Sequence, residues 1–370
     1  MIYADYAATS PMTPRALDVL TDTARRVYGN PSSLHDAGEE AAGIMETARR
    51  QCADLIHAKP HELVFTSGGT EADNLALRGC GRSRIAVSAV EHPAVLRTAE
   101  ALAEQGAGLT VLPVSESGAV IPELPSEIGG DTIVSVMLAN NETGVLQPVK
   151  EIAALAHERG ALFHCDAVQG AGHIPVDVDE IGCDLMSVSA HKLGGPKGVG
   201  FLYVREGTRL NPILTGGGQE RGHRSGTESV PLIASFGAAC EEAAEKMHEE
   251  AVRLAGYRDE IERELMKLPD VRINGEGKRL PGICSLSFGG IGGEALTLMC
   301  ALRGLCVSSG SACHSGDERP SHVLTAMKVP ERYLTSALRI SLGQNTAAED
   351  IPAVITCVKE CVELLRGMSR

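Results

Sequence analysis

Ser189-Ala190-His191-Lys192 follows an alternating apolar stretch, residues 184–189, and runs into the glycine- and proline-broken loop Leu193-Gly194-Gly195-Pro196-Lys197-Gly198. The carboxyl end of a strand is where an α/β protein keeps its chemistry. An ammonium group at the mouth of a sheet is costly to desolvate. It either reaches water or has its pKa lowered and becomes a nucleophile able to form a Schiff base. Most lysines are solvated surface groups, so the company of Lys192 has to make the case for chemistry. One strand upstream, residues 161–165 are apolar and end in Asp166-Ala167-Val168-Gln169. A carboxylate set directly on a buried run needs a cationic partner. A pyridinium nitrogen would satisfy Asp166 and let the ring act as an electron sink, and Gln169 could donate to the ring's phenolic oxygen. Without Lys192 nearby, Asp166 would read as a helix cap.

Four further groups extend the pattern. Phe65-Thr66-Ser67-Gly68-Gly69-Thr70-Glu71 reads as a strand, a glycine turn and a helix start, which aims free backbone N–H groups at one point and can bind phosphate. Taken alone, a tight turn capped by Thr70 reads equally well; the motif lacks the lysine of a P-loop, which argues against an NTPase. His92, in Ala89-Val90-Glu91-His92-Pro93, follows another strand and precedes a helix. Trp is absent and aromatics make up only 3% of the chain, so a flat ligand ring would find few aromatic side chains to stack on and imidazole becomes the substitute. Arg339 lies on the otherwise apolar strand Ala337-Leu338-Arg339-Ile340-Ser341-Leu342-Gly343. It suits either a bidentate grip on a substrate carboxylate or a structural ion pair. Cys313 sits between Ser308-Ser309-Gly310-Ser311-Ala312 and His314-Ser315-Gly316, a small, polar setting in which an exposed thiol can ionise and move.

The elements that must position these groups alternate. Strand-like runs at 63–66, 85–88, 133–138, 161–165, 185–189 and 200–204 are separated by helical patterns, which predicts a mostly parallel sheet covered by helices. Two helices, 14–28 and 37–56, precede it around the turn-rich Gly29-Asn30-Pro31-Ser32-Ser33. One long charged amphipathic helix, 230–266, is the expected bridge to a second unit, with strands at 271–274, 283–288 and 338–342 and helices at 294–303 and 347–365.

The chain has 370 residues, more than one hydrophobic core usually supports, and its 43% hydrophobic content is ample for a large and a small domain. A formal net charge of -14 argues against nucleic acid as a direct partner, because phosphate binding needs a basic footprint. The amino terminus carries neither a basic nor an apolar leader and no stretch is apolar for eighteen residues, so a cytoplasmic protein with no membrane partner is expected. Eleven cysteines without a CxxC pair fit neither a disulfide framework nor a zinc ribbon. Most, including Cys165, Cys183, Cys284 and Cys300, sit in apolar runs and read as small buried hydrophobes.

These motifs occur in one order along nearly the whole chain, together with Asp5-Tyr6-Ala7-Ala8-Thr9, Asn140-Asn141-Glu142-Thr143-Gly144 and Arg224-Ser225-Gly226-Thr227. In that order the chain resembles pyridoxal phosphate enzymes of the class V aminotransferase fold, and within them the NifS/IscS-type cysteine desulfurases. The resemblance implies an α/β fold of the fold-type I class, with a large domain at 14–255 built on a mostly parallel seven-stranded sheet. A smaller α+β domain, formed by 1–13 and 256–370, would carry the catalytic cysteine loop. It implies that Lys192 forms the Schiff base with pyridoxal 5'-phosphate and shuttles a proton, that Asp166 pairs the ring nitrogen, and that His92 stacks on the ring. Gln169 and Asn141 would flank the phenolic oxygen. Gly69, Thr70, Ser189 and His191 would hold the phosphate, with Thr227 reaching in from a second subunit of a homodimer. Asn30, Asn141 and Arg339 would bind substrate.

The implied reaction removes sulfur from L-cysteine, leaving L-alanine and a Cys313 persulfide for an acceptor protein in iron-sulfur cluster assembly, tRNA thiolation or a similar pathway. The triplet Cys313-His314-Ser315 also resembles selenocysteine lyases and the desulfurases that serve DNA phosphorothioation. Two rivals stay open at this point: an ordinary transaminase or β-lyase with an idle Cys313, and a thiol-rich metal or iron-sulfur carrier using Cys306, Cys313 and His314.

Overall fold

The computed structural model describes residues 1–309 and 320–368. A seven-stranded sheet runs in the order Leu63–Thr66, Gly200–Val204, Leu185–Ser189, Leu162–Asp166, Thr132–Ser135, Arg84–Ser88, Gly108–Leu112. The last five strands are mutually parallel, and Gly200–Val204 alone runs antiparallel to both its neighbours. The central strands read as continuous apolar runs because helices cover both faces: every residue of Leu185–Ser189 and Gly200–Val204 is buried, and so is every residue of the edge strand Leu63–Thr66. Six of these strands lie where the sequence puts them, within a few residues at the ends. The seventh, Gly108–Leu112, gave no comparable signal because it is an edge strand with only Leu112 fully buried. The run expected at 133–138 leaves strand geometry after Ser135, and Met137 and Asn141 turn towards the site described below.

Helix Pro14–Arg26 starts on a side-chain cap, Thr13 Oγ1 accepting from the Ala16 N–H at 3.0 Å, with proline at its first position. Helix Asp36–Leu55 is entered through Gly29, where a Cβ would run into the Ala37 carbonyl. Both helices pack along the first half of Val230–Leu265, a 36-residue helix whose residues 233–240 are buried in the first core. Leu254, Ile261 and Leu265 of the same helix belong to a second core, with Leu286, Phe288 and Val358. That core lies under an antiparallel sheet ordered Ser308–Ser309, Ala337–Ser341, Ile283–Phe288, Val271–Ile273, with helices Gly293–Leu302 and Asp350–Met368 packed together beside it. One helix therefore contributes to both hydrophobic cores. Residues 323–337 pack on the first core although the strand that follows them belongs to the second sheet. No helix among the described residues is long and apolar enough to cross a membrane.

The edge of the main sheet is fixed by a buried ion pair. Arg49 is 2% exposed; its Nη1 and Nη2 donate to Glu220 at 2.8 and 2.7 Å, and Nη1 also donates to the Leu63 carbonyl at 3.0 Å. The Phe65 N–H donates to the same carboxylate at 2.8 Å. Removing one member of such a pair strands a desolvated charge, at a cost of about 3–5 kcal/mol. An exposed pair such as Lys59–Glu206 contributes about 0–1 kcal/mol. Glu220→Ala is therefore expected to lower the urea unfolding midpoint strongly and Glu206→Ala hardly at all. Equal shifts in the two variants would contradict this ranking.

Candidate active site

A cavity of about 550 Å³ opens where the parallel strands end. Each strand delivers a side chain in the first residues of its following loop: His92 after Arg84–Ser88, Asn141 after Thr132–Ser135, Asp166 and Gln169 at the end of Leu162–Asp166, and Ser189, His191 and Lys192 at the end of Leu185–Ser189. Gly69 and Thr70 enter from the strand–helix turn after Leu63–Thr66, and Arg339 closes the wall from the second sheet. Residues as far apart in the chain as Ala7 and Arg339 thus face one volume.

Lys192 Nζ donates to the backbone carbonyls of Ala7 and Ala8 at 2.6 and 2.9 Å. Its loop is held on both sides. Ser10 Oγ donates to the His191 carbonyl at 2.8 Å and accepts from the Gly194 N–H at 2.9 Å, and His173 Nε2 lies 3.0 Å from the Lys192 carbonyl. Gly194 can follow this path because its φ of 87° lies in the left-handed region.

Below Lys192 the site is rich in buried acid. Asp166 is pushed up to about 6 by burial, against the Val168 N–H at 2.9 Å and the Lys192 charge, which favour its anion. Burial and the neighbouring Asp166 charge push Asp73 well above the usual carboxylate range. Burial raises Glu91 to about 8, although Ser88 Oγ and the Met137 N–H donate to it at 2.5 and 2.8 Å. Asp73 Oδ1 and Glu91 Oε2 have no hydrogen-bond partner among the described residues. The adjacent His164 cannot serve as a cation: fully buried between Ser135 Oγ and Ser187 Oγ at 2.8 and 3.0 Å, it is pulled down to about 3. A cation brought to this floor would relieve a concentration of buried negative charge.

His92 is lowered to about 4 by burial, then by the Lys192 and His322 charges, so it is neutral near pH 7. Its Nδ1 accepts from the Ala94 N–H at 3.1 Å. The proton of the neutral ring is therefore on Nε2, the nitrogen left to meet a ligand. At the opposite end, helix Gly69–Gly79 begins on Gly68 with no side-chain cap, so its first N–H groups are not taken up by a capping oxygen. The turn sits flat on the sheet: Gly68 has a φ of 150°, and a Cβ on Gly200 would lie 2.8 Å from the Gly68 Cα. A Cβ on Gly69 would meet Val168 Cγ2 at 2.8 Å. An uncapped helix start beside Ser189 and His191 is a fitting anion cradle.

Arg339 is 3% exposed. Its Nη2 donates to Asp5 Oδ1 at 2.9 Å and its Nη1 to the Asn141 carbonyl at 2.9 Å, while its Nε is buried without a partner among the described residues. The structural ion pair and a residual donor are thus both present. Two groups entered the site that the sequence had not marked. Ser321 Oγ donates to Glu142 Oε2 at 2.5 Å, and His322 Nε2 lies 3.0 Å from the Glu91 carbonyl. Burial raises Glu142 to about 7. Asn30 and Thr227 do not line the cavity of the single chain: Asn30 Oδ1 accepts from the Ser32 N–H at 2.9 Å, and Thr227 is exposed. Cys313, Ser311 and His314 lie outside the described residues.

Residues 2–354 match the family model described as aminotransferase class-V. The chain belongs to the class V aminotransferase family. Among the family's curated members it is similar to cysteine desulfurase IscS of Methanosarcina thermophila, 42% identical over all of this chain and 93% of the relative. Among solved structures it is similar to one titled NifS-like protein, with a TM-score of 0.91 and 36% identity over 98% of this chain and 99% of that one. Another, titled SspA in complex with cysteine, has a TM-score of 0.81 and 31% identity over 92% and 99% of the two chains. The family depends on pyridoxal phosphate. The cavity fits that group: an acid-rich floor short of cations for a ring nitrogen, an uncapped helix start for a phosphate, and a lysine between them. The matches do not favour a thiol-rich metal or iron-sulfur carrier.

The Glu91 carboxyl is held protonated at neutral pH, and the sign of its effect follows. Its folded value of about 8 lies above the ordinary 4.5, so its contribution is complete below about 4.5 and is lost as pH rises through 8. Glu91→Gln should flatten the fall in thermal unfolding temperature across that window. Parallel curves for the variant and the parent would remove Glu91 as a titrating group there.

Proposed function

We propose that this protein is a cysteine desulfurase that takes sulfur from L-cysteine and passes it on through Cys313. One observation carries the reading: Lys192, Asp166 and Arg339, carried by three different strands or the turn that follows one, line a single cavity and bring to it an amine, a buried carboxyl and a guanidinium. Lys192 would hold pyridoxal phosphate, Asp166 would meet its ring nitrogen, His92 would stack on the ring, and Gln169 and Asn141 would lie at its phenolic edge. Gly69, Thr70, Ser189 and His191 would hold the phosphate. When bound, the cofactor supplies an electron sink for charge developing at the cysteine α-carbon.

The chain's own groups do the rest. Arg339 receives the substrate carboxylate through its unpaired Nε, and a guanidinium already fixed by Asp5 and Asn141 needs no reorganisation to do so. The Lys192 amine takes the α-proton and returns a proton to carbon. Glu91, protonated, adds no second negative charge beside Asp166. The Cys313 thiolate attacks the substrate sulfur: an S–S bond forms, the C–S bond breaks with its electron pair remaining on carbon, and carbon takes up a proton. L-cysteine and one thiol become L-alanine and one persulfide.

Chain reach supports delivery. Ser308 pairs with Arg339 in the second sheet and Pro320 lines the cavity, so both flanks of the Cys313 segment adjoin the site. Four residues beyond Ser309, extended chain spans up to about 13–14 Å. The same reading takes 14–255 as the cofactor-binding domain and 1–13 with 256–370 as the small one. It pairs two chains so that Thr227 of one completes the phosphate site of the other, places Asn30 at the substrate, and hands the persulfide to an acceptor protein. Ten free thiols among the described residues suit the cytoplasm.

Cys313→Ala should abolish alanine release from L-cysteine in the cofactor-loaded protein while leaving cofactor content unchanged; an undiminished rate would overturn the persulfide route. Arg339→Ala should raise the KM for cysteine more than it lowers kcat. Loss of a charge-assisted contact is worth about 1.5–3 kcal/mol, or roughly 10- to 150-fold in apparent affinity. An unchanged KM would leave Arg339 with its structural ion pair alone.

A further inference from the structure

Far from the cavity, three cysteines converge between the two helices that pack together in the second unit. Cys357 and Cys361 stand four residues apart on Asp350–Met368 and so share one helix face, and Cys300 meets them from Gly293–Leu302. Their Sγ atoms all lie within 4.8 Å of one another. Three thiolates bound to one cation at about 2.3 Å would sit about 3.8–4.0 Å apart, so small side-chain rotations close the set. Cys300 and Cys361 are fully buried, and Cys357 is half-exposed and leaves a way in.

A buried cluster of thiols is in itself unremarkable packing. What separates this one from the Cys52–Cys240 pair, whose sulfurs lie 3.7 Å apart, is a third sulfur and a guanidinium at hydrogen-bond distance. Arg303, the residue that ends the Cys300 helix, donates from Nη1 to Cys361 Sγ at 3.0 Å. Its guanidinium thus lies directly against one sulfur of the set. It also matches the charge of one occupant: three thiolates around a divalent ion carry one net negative charge, which Arg303 balances, whereas a monovalent ion would leave two.

We propose that Cys300, Cys357 and Cys361 form a three-sulfur site for a divalent thiophilic cation of the zinc class, with Arg303 balancing its charge and the fourth position open towards the exposed side of Cys357. The site ties helix Gly293–Leu302 to helix Asp350–Met368 and is independent of desulfurase chemistry. Binding releases the protons of whichever thiols are not already ionised and involves no change of oxidation state.

The test uses the full-length, cofactor-loaded protein, stripped with a chelator, exposed to zinc and freed of excess metal by gel filtration. One zinc per chain is expected for the parent and for Cys313→Ala and Cys240→Ala. Cys357→Ala and Cys300→Ala should retain none. Cadmium in place of zinc should produce sulfur-to-metal charge-transfer absorbance that saturates at one equivalent and is lost in Cys357→Ala. Zinc should raise the unfolding temperature of the parent and not of Cys357→Ala. Because Cys357 is half-exposed, that variant decides the matter even if Cys300→Ala fails to fold. No retained metal, or retention unaffected by Cys357→Ala, would overturn the site, the latter meaning adventitious binding elsewhere.

Discussion

The constraint on which the rest of the molecule depends is the path of one irregular segment, residues 4–13, which turns over residues 6–8 at the mouth of the main sheet. Its backbone supplies the acceptors for Lys192 at Ala7 and Ala8, and its side chains hold Arg339 at Asp5 and the Lys192 loop at Ser10. The same segment is stitched to the second sheet, with the Ser341 N–H donating to the Ala4 carbonyl at 2.8 Å and the Ala7 N–H to Ser341 Oγ at 2.9 Å. Both cations of the site are therefore positioned by one strip of chain. Backbone carbonyls suit this task because they orient an ammonium without adding charge that would compete for it.

Charge in the cavity is arranged by burial more than by pairing. Among the described residues, Asp166, Asp73 and Glu91 lie together without a cation at hydrogen-bond distance, and the low-dielectric setting resolves the conflict by keeping some of them protonated. The same burial keeps His92 and His164 in the neutral, singly protonated form. The result is a site in which His92 and His164 are neutral and Lys192 and Arg339 bring basic groups to the walls. That division suits binding of an anionic, ring-bearing ligand and amino acid chemistry on it.

Thiols are sorted by the same physics. Burial pushes Cys165, Cys240 and Cys284 well above the ordinary thiol range and leaves them inert. Burial raises Cys300 and Cys357 as well; Cys361 has the Arg303 guanidinium against its sulfur, and Cys313 has small, polar sequence neighbours. Cysteine count alone distinguishes none of these roles; the nearest cation and the access of water do.

By itself the sequence determined the sheet strands and the residues at their carboxyl ends. These are set by local pattern: apolar runs buried on both faces, then glycine, proline and polar residues where the chain turns back. Lys192, Asp166, His92, Gly69 and Thr70 were legible for that reason, and Arg339 because an arginine on an apolar strand demands an explanation. The edge strand Gly108–Leu112 escaped because an edge buries too little to need a strong pattern. Only the tertiary structure decided which groups meet across long separations: Arg339 with Asp5, Ser321 with Glu142, His322 with the Glu91 carbonyl, and Lys192 with Ala7. Such contacts leave no periodicity in the chain. They follow from how two hydrophobic cores are set against each other along one shared helix, which fixes distances that no local pattern encodes.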